Sequence, residues 1–238
     1  MRISAKGLTD VGQKRANNQD HFLVAADQQL FGVADGMGGH RGGGVASELA
    51  VDVIHTYVQS HEREDAETAL TDAIQEASRQ IFERAQQTED LTGMGTTATF
   101  AWVKGNTIYI AHVGDSRAYL LRDGKIWQLT EDHSLVHEQV KAGLLPEDAE
   151  RDHLLKNVLT RSVGFEPQVK VDVYQKELES GDTYLLSSDG LNSMVKDEEI
   201  SRIIFENDAN HALKKLIDKA NENGGDDNIT SVLIWVEE

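Results

Sequence analysis

The chain has 238 residues, 39% hydrophobic and 27% charged, the profile of a soluble globular protein with enough length for one well-filled core. With 41 acidic residues against 23 Lys and Arg, the formal net charge of -18 excludes broad electrostatic binding to nucleic acid or to an anionic membrane surface. The absence of cysteine excludes disulfides, thiolate zinc sites and every mechanism with a cysteine nucleophile.

Met1 to Asp10 lacks the apolar centre of a signal peptide, and no apolar run approaches the roughly 18 residues of a membrane span, so a cytoplasmic chain is expected. Leu30 to Ala34 is a short apolar run halted by Asp35-Gly36, which predicts a strand. Ala46, Leu49, Ala50, Val53 and Tyr57 recur at helical spacing, as do Leu70, Ala73, Ile74, Ala77 and Ile81. Ala98 to Val103 and Thr107 to Val113 flank Gly105-Asn106, and Ala118 to Leu121 and Ile126 to Leu129 flank Asp123-Gly124: two hairpins. Residues 131 to 165 change character, with a polar helical stretch, Gly143, Pro146 and a second short amphipathic segment. They predict a flap inserted beside whatever Asp115 and Asp189 build. Thr183 to Leu186 reads as a strand running into Ser187-Ser188-Asp189-Gly190. Leu213, Leu216, Ile217 and Ala220 mark a helix, and Ile229 to Val236 a strand.

Consecutive hairpins imply antiparallel sheet, and a last strand apolar on both faces needs cover on both sides. The expected fold is α/β in content (α+β), a central sandwich of two antiparallel β-sheets flanked by helices on both sides, with a small flap insert. No repeat or Pro/Ser-rich linker divides it, so residues 1–238 read as a single domain with a flap subdomain at about 131–165.

A local design recurs: a strand ending in Asp with glycine beside it, at Asp35-Gly36, Gly114-Asp115 and Asp189-Gly190. It is inverted at Gly224-Gly225-Asp226-Asp227-Asn228. One such pair alone is most simply a turn. Together they place aspartates on rigid supports, with backbone carbonyls left accessible by glycine. Crowded carboxylates raise one another's pKa unless cations stand between them. An oxygen-only set with no Cys or His pair favours Mg²⁺ or Mn²⁺ over zinc. Arg15, in Arg15-Ala16-Asn17-Asn18-Gln19-Asp20, offers a planar fork for a phosphate oxyanion, or is a solvated surface arginine.

Six motifs then occur in order along nearly the whole chain: R-x-x-N-Q-D at Arg15 to Asp20, D-G-M-G-G-H at Asp35 to His40, G-T-T-A at Gly95 to Ala98, H-V-G-D-S-R at His112 to Arg117, S-D-G-L at Ser188 to Leu191, and D-D-N-I-T at Asp226 to Thr230. In these the sequence resembles the metal-dependent protein phosphatases (type 2C serine/threonine phosphatases) in their compact bacterial form. The resemblance implies that Asp35 bridges two metals, Mn²⁺ or Mg²⁺, and that Asp189 and Asp227 complete the first site. It implies that the Gly36 carbonyl and, through water, Asp20 serve the second, and that Asp115 shares a third, weaker site with Asp189. Arg15 matches the phosphate-binding arginine, and Asn228 is placed to orient Asp227.

The activity so implied is hydrolysis of phosphoserine and phosphothreonine in proteins, by in-line attack of a metal-bridged hydroxide without a covalent phosphoenzyme. Expected partners are phosphorylated proteins, targets of a serine/threonine kinase, with no nucleic acid and no membrane; a monomer is expected. One departure stands out. Many eukaryotic members carry a histidine directly after the metal-binding Asp-Gly, where this chain has Met37; His40 three residues on, or a metal-bound water, is then the acid for the leaving alkoxide. His112 is expected to be packed and hydrogen-bonded, and His133 and His153 to be exposed. Two other readings stay open on sequence: a phosphatase-like binding module without activity, and a metal-dependent hydrolase of small phosphate esters.

Overall fold

The computed structural model describes residues 1–146 and 153–237, and the side chains of residues 39–41 lie outside that description. One sheet runs, in spatial order, β1 (Arg2–Asp10), β11 (Ile229–Glu237), β10 (Thr183–Ser187), β7 (Arg117–Arg122) and β8 (Lys125–Gln128). The other runs β2 (Asp20–Ala25), β3 (Leu30–Met37), β5 (Ala98–Lys104), β6 (Thr107–Val113) and β9 (Asp172–Glu177), with the two-residue β4 (Gly95–Thr96) paired on the end of β3. Every ladder is antiparallel.

The strands follow from their alternation. In β11, Val232, Ile234 and Val236 face an inter-sheet layer with Phe31, Ile110, Tyr184 and Leu186, while Ile229 and Leu233 face the opposite way. That opposite face is covered by α5 (Asp197–Phe205) and α6 (Ala209–Glu222), through Ile200, Ile204, Leu213 and Leu216. The second sheet is covered by α1 (Gly39–Ser60) and α2 (Ala66–Gln87), whose Ile54, Leu70, Ile74 and Ile81 pack on Leu30 and Phe100. Two shorter helices, α3 (Leu135–Lys141) and α4 (Asp189–Asn192), lie near one end of the sandwich. The start of α2 is fixed by Asp65, whose carboxylate accepts the Thr68 N–H at 3.0 Å. The sandwich with helices on both outer faces is thus the expected one.

Strands β1, β2 and β9 and helix α5 are additions to the elements read from sequence. The three strands lie on sheet edges, where one face or one flank is wet, so their sequences mix polar and apolar residues without a clean period. Of the flap expected at 131–165, residues 147–152 lie outside the described residues. Its two ends are joined by an antiparallel bridge between Ser134 and Leu159.

The strand ends place the Asp-containing turns together. Asp20 begins β2 directly opposite Asp35 near the end of β3, Ala98 opens β5 opposite Val113 at the end of β6, and Ser187 ends β10 opposite Ser231 near the start of β11. All these termini fall on one rim of the sandwich.

His112 on β6 is fully buried, as expected. Its Nδ1 meets Thr99 Oγ1 at 2.9 Å and its Nε2 meets the Glu131 carbonyl at 3.0 Å, a pairing made for a neutral ring. Burial, with His133 alongside, pushes its pKa from 6.5 down to about 3. Between those values the unfolded chain takes up a proton that the folded one refuses, so stability falls as pH drops below 6.5 and levels out near 3. The contribution is at most about 1.4 kcal/mol per pH unit. Urea unfolding between pH 7.5 and 5 is therefore expected to show a shallower decline for His112→Asn than for the wild type; parallel declines would refute this account.

Candidate metal centre and active site

A cleft of about 400 Å³ opens on that rim, lined by Arg15, Asp35, Gly36, Asp115, Asp189 and Asp227 among others. Asp20 lies under it, 4% exposed. All the residues singled out from sequence as metal or phosphate ligands therefore meet at one place. His40 is the one whose side chain lies outside the described residues, although its backbone falls in the first turn of α1.

Each ligand candidate is held by its strand. The Asp35 N–H donates to Thr97 Oγ1 at 2.9 Å, and its carbonyl accepts the Thr97 N–H and the Thr96 hydroxyl, both at 2.9 Å. Gly36 packs backbone to backbone on α1. A Cβ there would stand 2.1 Å from the Gly43 carbonyl, and one on Gly43 would stand 2.5 Å from the Gly36 carbonyl. Asp20 Oδ2 accepts the Ser188 hydroxyl at 2.7 Å, and Ser188 Oγ in turn accepts the Thr230 N–H. Asp227 Oδ1 accepts the Asn228 N–H at 2.8 Å and Oδ2 accepts from Arg15 Nη2 at 2.6 Å.

Asn228 bonds Asp227 through its backbone, and its side chain has a second task. Its Oδ1 accepts the Gln19 N–H at 2.8 Å, while its Nδ2 donates to the carbonyls of Val11 and Asn17 at 2.9 and 3.0 Å. One amide thus straps down the loop that carries Arg15 and leads to Asp20.

The electrostatics are those of an unneutralised carboxylate cluster. Burial, then repulsion from Asp20 and Asp189, holds Asp35 well above the usual carboxylate range. Asp115 is raised in the same way by burial and by Asp189. Burial pushes Asp20 up to about 7, against hydrogen bonds that lower it, and burial with Asp227 pushes Asp189 up to about 6. Repulsion of this kind between Asp35 and Asp189 is relieved by a proton or a cation between them.

Among the described residues no three acidic or histidine side chains already form a cage for a metal ion. One contact bears on this: Arg15 occupies one oxygen of Asp227. The donor set still fits hard divalent cations. Asp20 Oδ1 and Asp189 Oδ1 are buried without a hydrogen-bond partner, an expensive state that a cation or its waters would relieve. Every candidate donor is oxygen, as Mg²⁺ and Mn²⁺ prefer.

Sequence reading did not give roles to three residues seen here. Thr97 lay inside the quoted G-T-T-A motif, and Ser188 inside S-D-G-L, yet a hydroxyl that bonds a carboxylate or its peptide leaves no periodic signal. His133, expected to be exposed, is instead 3% exposed, because Gly114 and Asp172 occupy its two ring nitrogens.

Comparison with known proteins gives one consistent result. The family model for protein phosphatase 2C matches residues 11–233. The serine/threonine phosphatase stp of Listeria welshimeri is 42% identical over 98% of this chain and 95% of its own length. The crystal structure of the Mycobacterium tuberculosis serine/threonine phosphatase PstP/Ppp superposes with a TM-score of 0.93 at 33% identity, covering 99% of both chains. A structure of the catalytic domain of PstP in complex with two manganese ions superposes at 0.90 with 34% identity, again over 99% of both.

If carboxylate crowding destabilises the metal-free protein, Asp35→Asn is expected to raise its melting temperature, by about 2–8 °C. The same variant should gain less than the wild type when millimolar Mn²⁺ is added. Differential scanning fluorimetry with and without chelator checks both; a lower melting temperature for the metal-free variant would contradict the repulsion account.

Proposed function

The chain belongs to the protein phosphatase 2C family and is a metal-dependent serine/threonine protein phosphatase, and we propose that the residues of the cleft divide its chemistry as follows. The observation that carries the assignment is the convergence of Asp20, Asp35, Asp115, Asp189 and Asp227 with Arg15 on one rim, with carboxylate oxygens buried and unsatisfied.

Two divalent cations, Mn²⁺ or Mg²⁺, supply when bound an activated water at neutral pH and neutralise charge on the phosphoryl group. Asp35 feels the charges of all four other aspartates and is proposed to serve both cations, with Asp189 and Asp227 for one and the Gly36 carbonyl and Asp20 for the other. The Gly36–Gly43 contact keeps that carbonyl free of side chains. Asp115 is proposed to share a third, weaker site with Asp189. Arg15 is half-exposed and reaches Asp227 across the mouth of the cleft, which places its guanidinium to receive the phosphoryl oxygens of an arriving substrate. Fixed donors and cations of this kind stabilise charge as it spreads in the transition state, so no covalent phosphoenzyme is required. His40 remains the proposed proton donor to the leaving alkoxide, alongside water.

Phosphorylated proteins, modified by a serine/threonine kinase, are the proposed substrates, and a cytoplasmic monomer the proposed form. Among the described residues no helix is long and apolar enough to cross a membrane.

Phosphate release from a phosphothreonine peptide is expected with Mn²⁺, more strongly than with Mg²⁺, and is expected to vanish with excess chelator and in Asp35→Asn. A folded, Mn²⁺-loaded wild type inactive on that peptide and on small phosphate esters would favour the binding-module reading. Arg15→Ala is expected to lower kcat/KM by about 10- to 100-fold, with Arg15→Lys recovering part of the loss, since a point charge replaces the planar fork. Steady-state kinetics on the same peptide check this; equal activity of Arg15→Ala and wild type would remove Arg15 from the site.

A further inference from the structure

The glycine just before one site carboxylate is bonded by a residue that does not line the cleft. Gly114 and Asp115 form the turn that leaves β6. The His133 N–H donates to the Gly114 carbonyl at 2.7 Å, and the Gly114 N–H donates to His133 Nδ1 at 3.1 Å. A single histidine therefore grips Gly114 by both its backbone donor and its backbone acceptor, immediately before Asp115.

The tautomer follows from the partners. An amide N–H has only a proton to offer, so Nδ1 must accept. Nε2 then carries the hydrogen and donates to Asp172 Oδ2 at 3.0 Å. Asp172 on β9 is itself held by Arg161 at 3.0 Å. The His133 side chain is 2% exposed.

Gly114 has no slack on its other side. Its φ is +114°, and a Cβ there would stand 2.5 Å from Thr97 Cγ2. Thr97 is also the residue whose hydroxyl receives the Asp35 N–H. The turn is thus pressed between the Asp35 support and the imidazole.

His133 also belongs to the root of the 131–165 insert. Its carbonyl accepts the Thr160 N–H at 2.9 Å, the Leu135 N–H donates to the Val158 carbonyl at 2.8 Å, and Ser134 bridges to Leu159. Asn157 and Leu159, from that same returning segment, line the catalytic cleft.

We infer that His133 is a positioning residue of the catalytic centre. Its imidazole fixes the backbone of Gly114, and through it the Asp115 carboxylate, relative to the segment of the insert that faces the cleft. Asp115 is half-buried and lines the cleft with Asp189, so a loosened turn would let it swing away from its neighbour. The inference rests on the phosphatase reading of that cleft.

Two substitutions separate the bonds. Asn places an amide oxygen near the position of Nδ1 and keeps an acceptor for Gly114, while losing Asp172. Gln places an amide nitrogen near the position of Nε2 and keeps the bond to Asp172, while losing the acceptor for the Gly114 N–H. With saturating Mn²⁺ and a phosphothreonine peptide, His133→Gln and His133→Ala are expected to lose about ten-fold or more in kcat with little change in KM, and His133→Asn less than about three-fold.

Amide exchange at Gly114, followed by NMR on the metal-free proteins, is expected to be slow in wild type and His133→Asn and fast in His133→Gln. Melting temperatures are measured alongside. Loss of kcat that is equal in the Asn and Gln variants, or that simply tracks melting temperature, overturns the inference, as does unchanged Gly114 exchange in His133→Gln. Should wild type release no phosphate from any substrate, the phosphatase reading fails and Gly114 exchange alone decides the positioning claim.

Discussion

The structure is organised around a repulsion. Asp20 and Asp35 face each other directly across the β2–β3 ladder, and Asp115, Asp189 and Asp227 are brought against them from three other strand ends. Like charges in directly opposed positions destabilise a sheet, and burial strengthens the effect because little water is left to screen them. The protein tolerates the arrangement because the inter-sheet core and both outer layers of helices over-determine where those strand ends must be. Tyr184, Phe31 and Ile234 are fully or almost fully buried between the sheets. Packing free energy of the sandwich is what holds the acids together until cations do.

The supports of the site share a logic. Asp20, Asp35 and Asp227 are each positioned by a neighbour that bonds the peptide or a carboxylate oxygen, and at Asp20 the other oxygen is left without a hydrogen-bond partner. Ser188 takes Oδ2 of Asp20 and leaves Oδ1; Thr96 and Thr97 bind the backbone of Asp35; the Asn228 N–H takes Oδ1 of Asp227. Rigid support with free lone pairs is what an oxygen-ligated cation needs. Among the described residues Arg15 is the one positive side chain bonded to these acids, and its half-exposed position suits the phosphoryl-binding role proposed for it.

How far this was legible in the sequence depended on the kind of signal. Hairpins at Gly105-Asn106 and Asp123-Gly124, the helical periods of α1 and α2 and the doubly covered last strand were all readable, because local turn chemistry and burial leave periodic traces. Strand β1 was not, since Arg2–Asp10 lies at a sheet edge and owes its structure to pairing with β11. The aspartates were readable as motifs, whereas Thr97 and His133 act through bonds to residues distant in sequence, which no local pattern encodes. Asn228 supports Asp227 through its backbone N–H, while its side chain has a further role that sequence did not suggest: it binds the Val11–Gln19 loop, which crosses directly over the start of β11.

That strap joins the two extremes of the chain. Arg15 bonds Asp227 across 212 positions of sequence, and Asn228 bonds Val11 across 217. A centre assembled from contacts of such long range is late to form in folding, since loop closure must come before the contacts that reward it. During synthesis the segment bearing Arg15, Asp20 and Asp35 leaves the ribosome long before Asp227 and β11 exist. For all that interval the newborn chain holds the beginnings of a metal centre with no partner to finish it. On the roles proposed for Arg15 and Asp227, the centre is complete only once the last strand is made, and a half-made polypeptide lacks the parts to hydrolyse anything.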